Sequence, residues 1–204
     1  MNFIDFKKIF EKAGIFSMNN IKNIFPDFYS QYLTNWQKKG YVIKLRNGWY
    51  CFDEFFQRPF ALWQTANLIY SPSYISLESA LSFYELLPER VMSTTSVSTN
   101  KTNEFDTNKG RFSYCSISKD LFFGYTLHRF SDSPDTAIMI AEPEKAILDF
   151  LYLKRSYNSH DEIRELRFNE IILKKDIAKV KLNKYLKKYN NKRLEKRINL
   201  LFSD

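Results

Sequence analysis

The chain is poor in glycine, cysteine and histidine: 204 residues contain five Gly, two Cys and two His. Glycine falls well below its usual share of about 7%, so glycine-rich phosphate loops are not expected. Neither G-x-x-x-x-G-K-S/T nor G-x-G-x-x-G occurs, and H-E-x-x-H is also absent. Cys51 and Cys115 are too few and too far apart for a disulfide scaffold or a zinc site; core packing accounts for both, and a reducing cytoplasm is the expected setting. His128 and His160 have no cysteine beside them and no ligand spacing to each other. No apolar run approaches the roughly 18 residues of a membrane helix. Met1-Asn2-Phe3-Ile4-Asp5 lacks the basic region and apolar stretch of a signal peptide. No cofactor, metal, catalytic residue or membrane partner is therefore expected.

What is present is aromatic and basic. The 19 Phe, 13 Tyr and three Trp, within a hydrophobic fraction of 44%, supply large areas for burial and exclude a wholly disordered chain. The net charge of +8 is uneven. Residues 1–53 hold eight Lys/Arg against four Asp/Glu, residues 54–173 hold 12 against 16, and residues 174–204 hold 11 against three. Basic ends of this kind concentrate polyanions, nucleic acid first among them, although a solvated lysine-rich helix has the same composition.

The N-terminal pattern favours nucleic acid. Phe3, Phe6, Ile9 and Phe10 mark an amphipathic helix ended by Gly14. Ser17 is placed to cap a short helix stopped by Pro26. The next helix, about residues 27–39, sets Tyr29, Tyr32, Leu33 and Trp36 on one face. Its other side offers Ser30, Gln31, Thr34, Asn35 and Lys38, with Lys39 following. Strand Tyr41–Arg46, the Asn47-Gly48 turn and strand Trp49–Phe52 form a hairpin. Three helices and a hairpin read as a winged helix-turn-helix over residues 1–53. Its third helix faces the major groove of double-stranded DNA, and Lys44, Arg46 and Asn47 at the hairpin tip reach phosphate or the minor groove. Amide and hydroxyl side chains suit base-edge readout.

Residues 54–204 read as a second unit of mixed α/β character, giving an α+β fold overall. Within it, residues 54–155 carry a helix over 54–69, a helix begun by Ser76, and strands at Val91–Thr99 and Phe112–Ile117. These two strands are expected as an antiparallel pair in a small, largely antiparallel sheet. A short strand Ala137–Ala141 leads into a helix opened by Glu142-Pro143-Glu144, with Ala146, Ile147, Phe150 and Leu151 as its buried face. Residues 156–204 form a basic helical extension. Glu142-Pro143-Glu144-Lys145 superficially resembles the acid-and-lysine motif of metal-dependent nucleases, but it opens a helix and no acid upstream completes a metal site.

Several segments in order resemble the AbiEi-type antitoxins. They are Phe16-Ser17 through Phe25-Pro26; Leu33, Trp36, Lys39-Gly40-Tyr41, Gly48 and Tyr50; Tyr74 to Leu81, Tyr84 and Leu87-Pro88-Glu89; Thr95 to Thr99; Phe112-Ser113-Tyr114; Leu121 to Tyr125; and Ile140 to Asp149. The resemblance covers roughly residues 15–155 and departs at Glu85, where the family pattern has glycine. It implies a type IV toxin–antitoxin module of abortive infection and phage defence. In that module a non-enzymatic antitoxin represses its own operon as a transcriptional repressor and counteracts a nucleotidyltransferase toxin, without a stable complex being required. The alternatives are a nucleic-acid-processing enzyme, or an RNA-binding protein, with the winged helix as targeting module.

Overall fold

The computed structural model describes residues 1–46, 48–88, 92–130 and 133–203, with side chains for all of these except 130 and 133–136. The chain opens with helix α1 (Phe3–Phe10), strand β1 (Ile15–Ser17) and helix α2 (Met18–Ile24). Helix α3 (Gln31–Lys38) and the strands β2 (Ile43–Arg46) and β3 (Trp49–Cys51) follow. Asn2 caps α1 by accepting from the Ile4 amide. Ser17 and Asn20 close a reciprocal capping box at the start of α2: the Ser17 hydroxyl accepts from the Asn20 amide, and the Asn20 side chain accepts from the Ser17 amide. The three strands form an antiparallel sheet in the order β1-β3-β2. An aromatic core of Phe6, Phe10, Phe16, Phe28, Trp36, Tyr50 and Phe52, with Ile21, Leu33 and Val42, holds these elements together.

Residues 54–69 are not one helix. A 3₁₀ turn over Asp53–Gln57 precedes helix α4 (Ala61–Ile69), and Phe60 between them adopts φ 59°. Beyond α4 come β4 (Ser73–Ile75), α5 (Leu77–Phe83), β5 (Thr94–Ser98), β6 (Asn103–Thr107) and β7 (Gly110–Ser116). Strands β8 (Tyr125–Phe130) and β9 (Ser133–Ala141) lead into α6 (Pro143–Leu153). The helical extension is four separate helices: α7 (His160–Glu165), α8 (Glu170–Lys175), α9 (Lys179–Tyr189) and α10 (Lys192–Phe202).

The second sheet is larger and more mixed than the sequence pattern suggests. It has six strands in the order β6-β7-β5-β4-β9-β8. Strands β4 and β9 pair parallel, as do β5 and β7; the other pairings are antiparallel. The expected antiparallel pairing of β5 with β7 is therefore wrong. The unexpected strand β6 is the reason: the chain passes beyond β7, forms β6 at the sheet edge, and turns back through Thr107–Gly110. Val91, in the expected strand, lies outside the described residues. The central strand β5 is buried at all five positions despite its Thr/Ser content. Two of its hydroxyls find partners: Thr95 Oγ1 donates to the Ser76 carbonyl at 2.8 Å and Ser98 Oγ to the Pro72 carbonyl at 2.7 Å, while Ser96 Oγ is buried without one.

The two units share a core. Ile15, Leu45 and Cys51 from the small sheet and Phe55 from the 3₁₀ turn belong to the same buried cluster as Tyr74, Phe112, Tyr114 and Ile147. The expected division between residues 53 and 54 thus falls inside the 3₁₀ turn, next to a side chain that joins the units.

Candidate nucleic-acid interface

The short helix α3 is held by two buried side chains, Leu33 and Trp36. Trp36 lies 4.7 Å from the Phe6 ring, which fixes which way the helix turns its opposite face. That face carries the side chains the sequence singles out. Ser30, Gln31, Thr34, Asn35, Lys38 and Lys39 are all exposed. Ser30 occupies the N-cap but makes no side-chain cap bond, so its hydroxyl is not engaged there. Gln31 Nε2 donates to Asn35 Oδ1 at 3.3 Å, and this pre-aligns two amides one helical turn apart. Lys39 reaches to 6.0 Å from the centre of the exposed Tyr41 ring.

Tyr29 departs from its expected role. The helical spacing puts it with Leu33 and Trp36 on the apolar face, yet it is 72% exposed. The i, i+4 relation to Leu33 requires helix, and α3 begins only at Gln31. Tyr29 therefore stands exposed just ahead of α3 and outside its buried face. No periodicity in the sequence signals this.

The hairpin divides. Lys44 is exposed on β2. Arg46 turns inward: its guanidinium donates to the Ile69 carbonyl and lies over the rings of Phe105 at 4.1 Å and Tyr70 at 5.1 Å. Two positions along a strand ordinarily share a face. Here the register of β2 against β3 shifts between Lys44 and Arg46, and a bulge of this kind re-aims a side chain. Asn47, the third expected hairpin residue, lies outside the described residues.

A second concentration of chemistry lies at the start of α6 and is closed rather than open. Asp149 and Lys145 are fully buried. The Lys145 ammonium donates to Asp149 Oδ1 and, at 2.7 Å, to Tyr189 Oη. Asp149 also accepts from Tyr74 Oη at 2.9 Å, Ser76 Oγ at 2.9 Å and Tyr189 Oη at 2.6 Å. Ser76 occupies the N-cap of α5 as expected, but its hydroxyl serves Asp149 instead of the helix. Burial pulls the Lys145 ammonium below its ordinary value against the pull of Asp149, and burial pushes the Tyr74 and Tyr189 phenols well above theirs. Glu142 and Glu144 meet Lys181 of α9 at 3.0 and 3.2 Å, and Glu144 Oε1 accepts from the Ala178 amide. The acid-and-lysine motif thus fastens α9 to α6. Among the described residues no group of three or more His, Cys, Asp or Glu side chains is arranged to hold a metal.

The basic C-terminal helices have two faces. Leu182, Leu186, Tyr189, Leu194 and Ile198 are buried. Arg197 is also buried; it donates to the Leu151 and Arg155 carbonyls and to Asn158 Oδ1, and so satisfies the end of α6. Lys184, Lys187, Lys192, Arg193 and Lys196 point to solvent, whereas the Lys188 ammonium lies 4.2 Å from the centre of the Phe123 ring. No helix among the described residues is long and apolar enough to cross a membrane. No family model matches the chain, and no curated protein matches it.

Proposed function

We propose that the chain is a DNA-binding antitoxin of the AbiEi type. Its N-terminal 53 residues act as a winged helix-turn-helix that represses its own operon, and the remainder counteracts a nucleotidyltransferase toxin. The observation that carries the DNA-binding half is the joining of one element order to one surface chemistry. The order α1-β1-α2-α3-β2-β3 with a β1-β3-β2 sheet supports the winged-helix reading. Its third helix exposes Gln31, Thr34 and Asn35 flanked by Lys38 and Lys39. Amides of this kind pair bidentately with adenine, and lysines hold phosphate. The antitoxin half rests on the ordered resemblance over residues 15–155.

The test is a titration of the full chain against DNA from upstream of its own gene, with random DNA in competition. Selective binding is expected. Gln31→Ala with Asn35→Ala should cost about 1–3 kcal/mol of discrimination for each amide–base pairing removed, while affinity for random DNA persists. Binding of the unaltered chain with no preference over random DNA overturns the reading. Co-expression with a nucleotidyltransferase toxin of the kind the reading requires tests the second half, the expected result being rescue of growth.

A further inference from the structure

We propose that Arg46 is an interdomain latch: it fixes the α3 reading surface to the six-stranded sheet, so that the two units present one rigid body to DNA. Its bearing on DNA rests on the function proposed above; the latch itself does not. A basic residue at a hairpin tip ordinarily points to solvent. Arg46 instead leaves the small sheet and enters the larger unit. Its planar guanidinium lies 4.1 Å from the centre of the Phe105 ring on the edge strand β6 and 5.1 Å from that of Tyr70 after α4, and it closes on the Ile69 carbonyl. Tyr70 in turn packs on Tyr114 at 4.8 Å, and the Tyr114 hydroxyl donates to the Ala66 carbonyl, so the receiving surface is itself anchored. Stacking on aromatic faces while donating from the edge is a geometry that arginine provides and lysine does not.

The latch does not act alone. Lys109, in the β6–β7 turn, pairs with Asp53 at 2.5 Å. Lys7 of α1 pairs with Glu54 at 2.8 Å. Arg58 donates to the Glu11 and Lys12 carbonyls beyond α1. Exposed ion pairs of this sort contribute little individually. Lys109, Lys7 and Arg58 also lie over rings, those of Phe56, Phe52 and Phe55, at 5.5, 5.9 and 5.5 Å; Arg46 differs in meeting two rings at once and in its closer approach, 4.1 Å to Phe105. It is therefore the member whose removal should loosen the joint.

Two variants separate the latch from a direct role on phosphate. Arg46→Met keeps an unbranched stem and removes the cation. Phe105→Leu keeps apolar volume and the cation but removes the ring. In DNA-free protein, both should speed amide exchange across residues 43–51 by about tenfold, within the range that a desolvated cation–π interaction supports. Amides of β5 serve as the internal control and should be unchanged. Arg46→Lys should restore little of the protection. With DNA, both variants should weaken binding alike and leave the salt dependence unaltered. Unchanged exchange in both variants overturns the proposal. So does a Phe105→Leu protein that binds normally alongside an Arg46→Met protein whose salt slope falls by about 0.9, the signature of one phosphate no longer neutralised. If the unaltered chain binds no DNA selectively, the exchange measurement still decides the latch, and only the DNA-binding reading fails.

Discussion

The buried pair on α6 shows how much a single side chain depends on what remains when its partner leaves. Removing one member of a buried ion pair costs about 3–5 kcal/mol, because a charge is left uncompensated. The two members are not equivalent here. With Lys145→Met, Asp149 keeps hydroxyl donors from Tyr74, Ser76 and Tyr189. With Asp149→Leu, Lys145 keeps only the Tyr189 oxygen among its hydrogen-bond partners. Asp149→Leu should therefore lie at the upper end of that range and Lys145→Met at the lower end, measured by urea unfolding at neutral pH. Equal losses would show that the hydroxyls do not support the carboxylate. Cys51 offers a second test at the same scale. Burial pushes its thiol from 9.0 up to about 12. A group raised in the folded state stabilises fully below its unfolded value and loses that contribution as pH climbs toward the folded one. Stability should thus decline from pH 9 at up to about 1.4 kcal/mol per pH unit. The buried Tyr74, Tyr114 and Tyr189, all raised, add to the decline above 10.0. Lys145, lowered by burial, acts in the opposite direction just below 10.5. Cys115, also raised by burial, titrates from the same starting point, so it is in the double variant Cys51→Ala/Cys115→Ala that the decline should begin about one unit later, at the tyrosines; an unchanged onset there would exclude the thiols as its cause.

Among the elements, the 3₁₀ turn and the loop after α1 form the tightest seam. Gly14 adopts φ +69°, and a Cβ built there would stand 2.6 Å from Phe55 Cδ2. Gly14→Ala meets both a left-handed backbone and a fixed ring, and should cost about 1–3 kcal/mol in thermal or urea unfolding. In a Phe55→Ala background the same change should cost clearly less, since only the backbone part remains. Additive losses would mean that the ring yields freely. The seam also shows where sequence reading stops. Helices α1, α3 and α6 and the β2–β3 hairpin are legible because their apolar spacing or turn chemistry is local. Strand β1 is three residues long, and β6 alternates around charged Glu104 and Asp106 at a sheet edge, so neither carries an apolar pattern. The parallel pairing of β5 with β7 depends on β6 and is hidden with it. At the candidate interface, the exposed face of α3 follows from periodicity. The inward turn of Arg46 follows from a register shift between strands, which composition does not encode.

For the molecule as a whole, the shared core means that cutting the chain is a poor way to divide its functions. A break between residues 53 and 54 strips Phe55 from Ile15, Leu45 and Cys51, so both fragments would expose apolar surface. Removing α9 and α10 takes away Tyr189 and Arg197, which serve Asp149, Lys145 and the end of α6. Loss of activity in such fragments would report unfolding. Point changes on exposed faces avoid this. The Gln31/Asn35 double variant should abolish repression and leave rescue from the toxin intact. The converse variant changes Lys184, Lys187, Lys192, Arg193 and Lys196 to Gln and leaves Lys188, which lies over the Phe123 ring. Each changed residue is exposed, and none forms an ion pair among the described residues. Surface substitutions of this type stay within about 0.5 kcal/mol each, and relief of like-charge repulsion acts in the stabilising direction. The chain's formal charge falls by five from +8. The melting temperature should therefore change little, while rescue from the toxin weakens and DNA affinity falls modestly. The salt slope should fall by about 0.9 for each phosphate these basic side chains had neutralised. Full rescue with an unchanged salt slope would reduce the basic face to a solvated surface and leave the buried side of α9 and α10 as the whole reason for their presence.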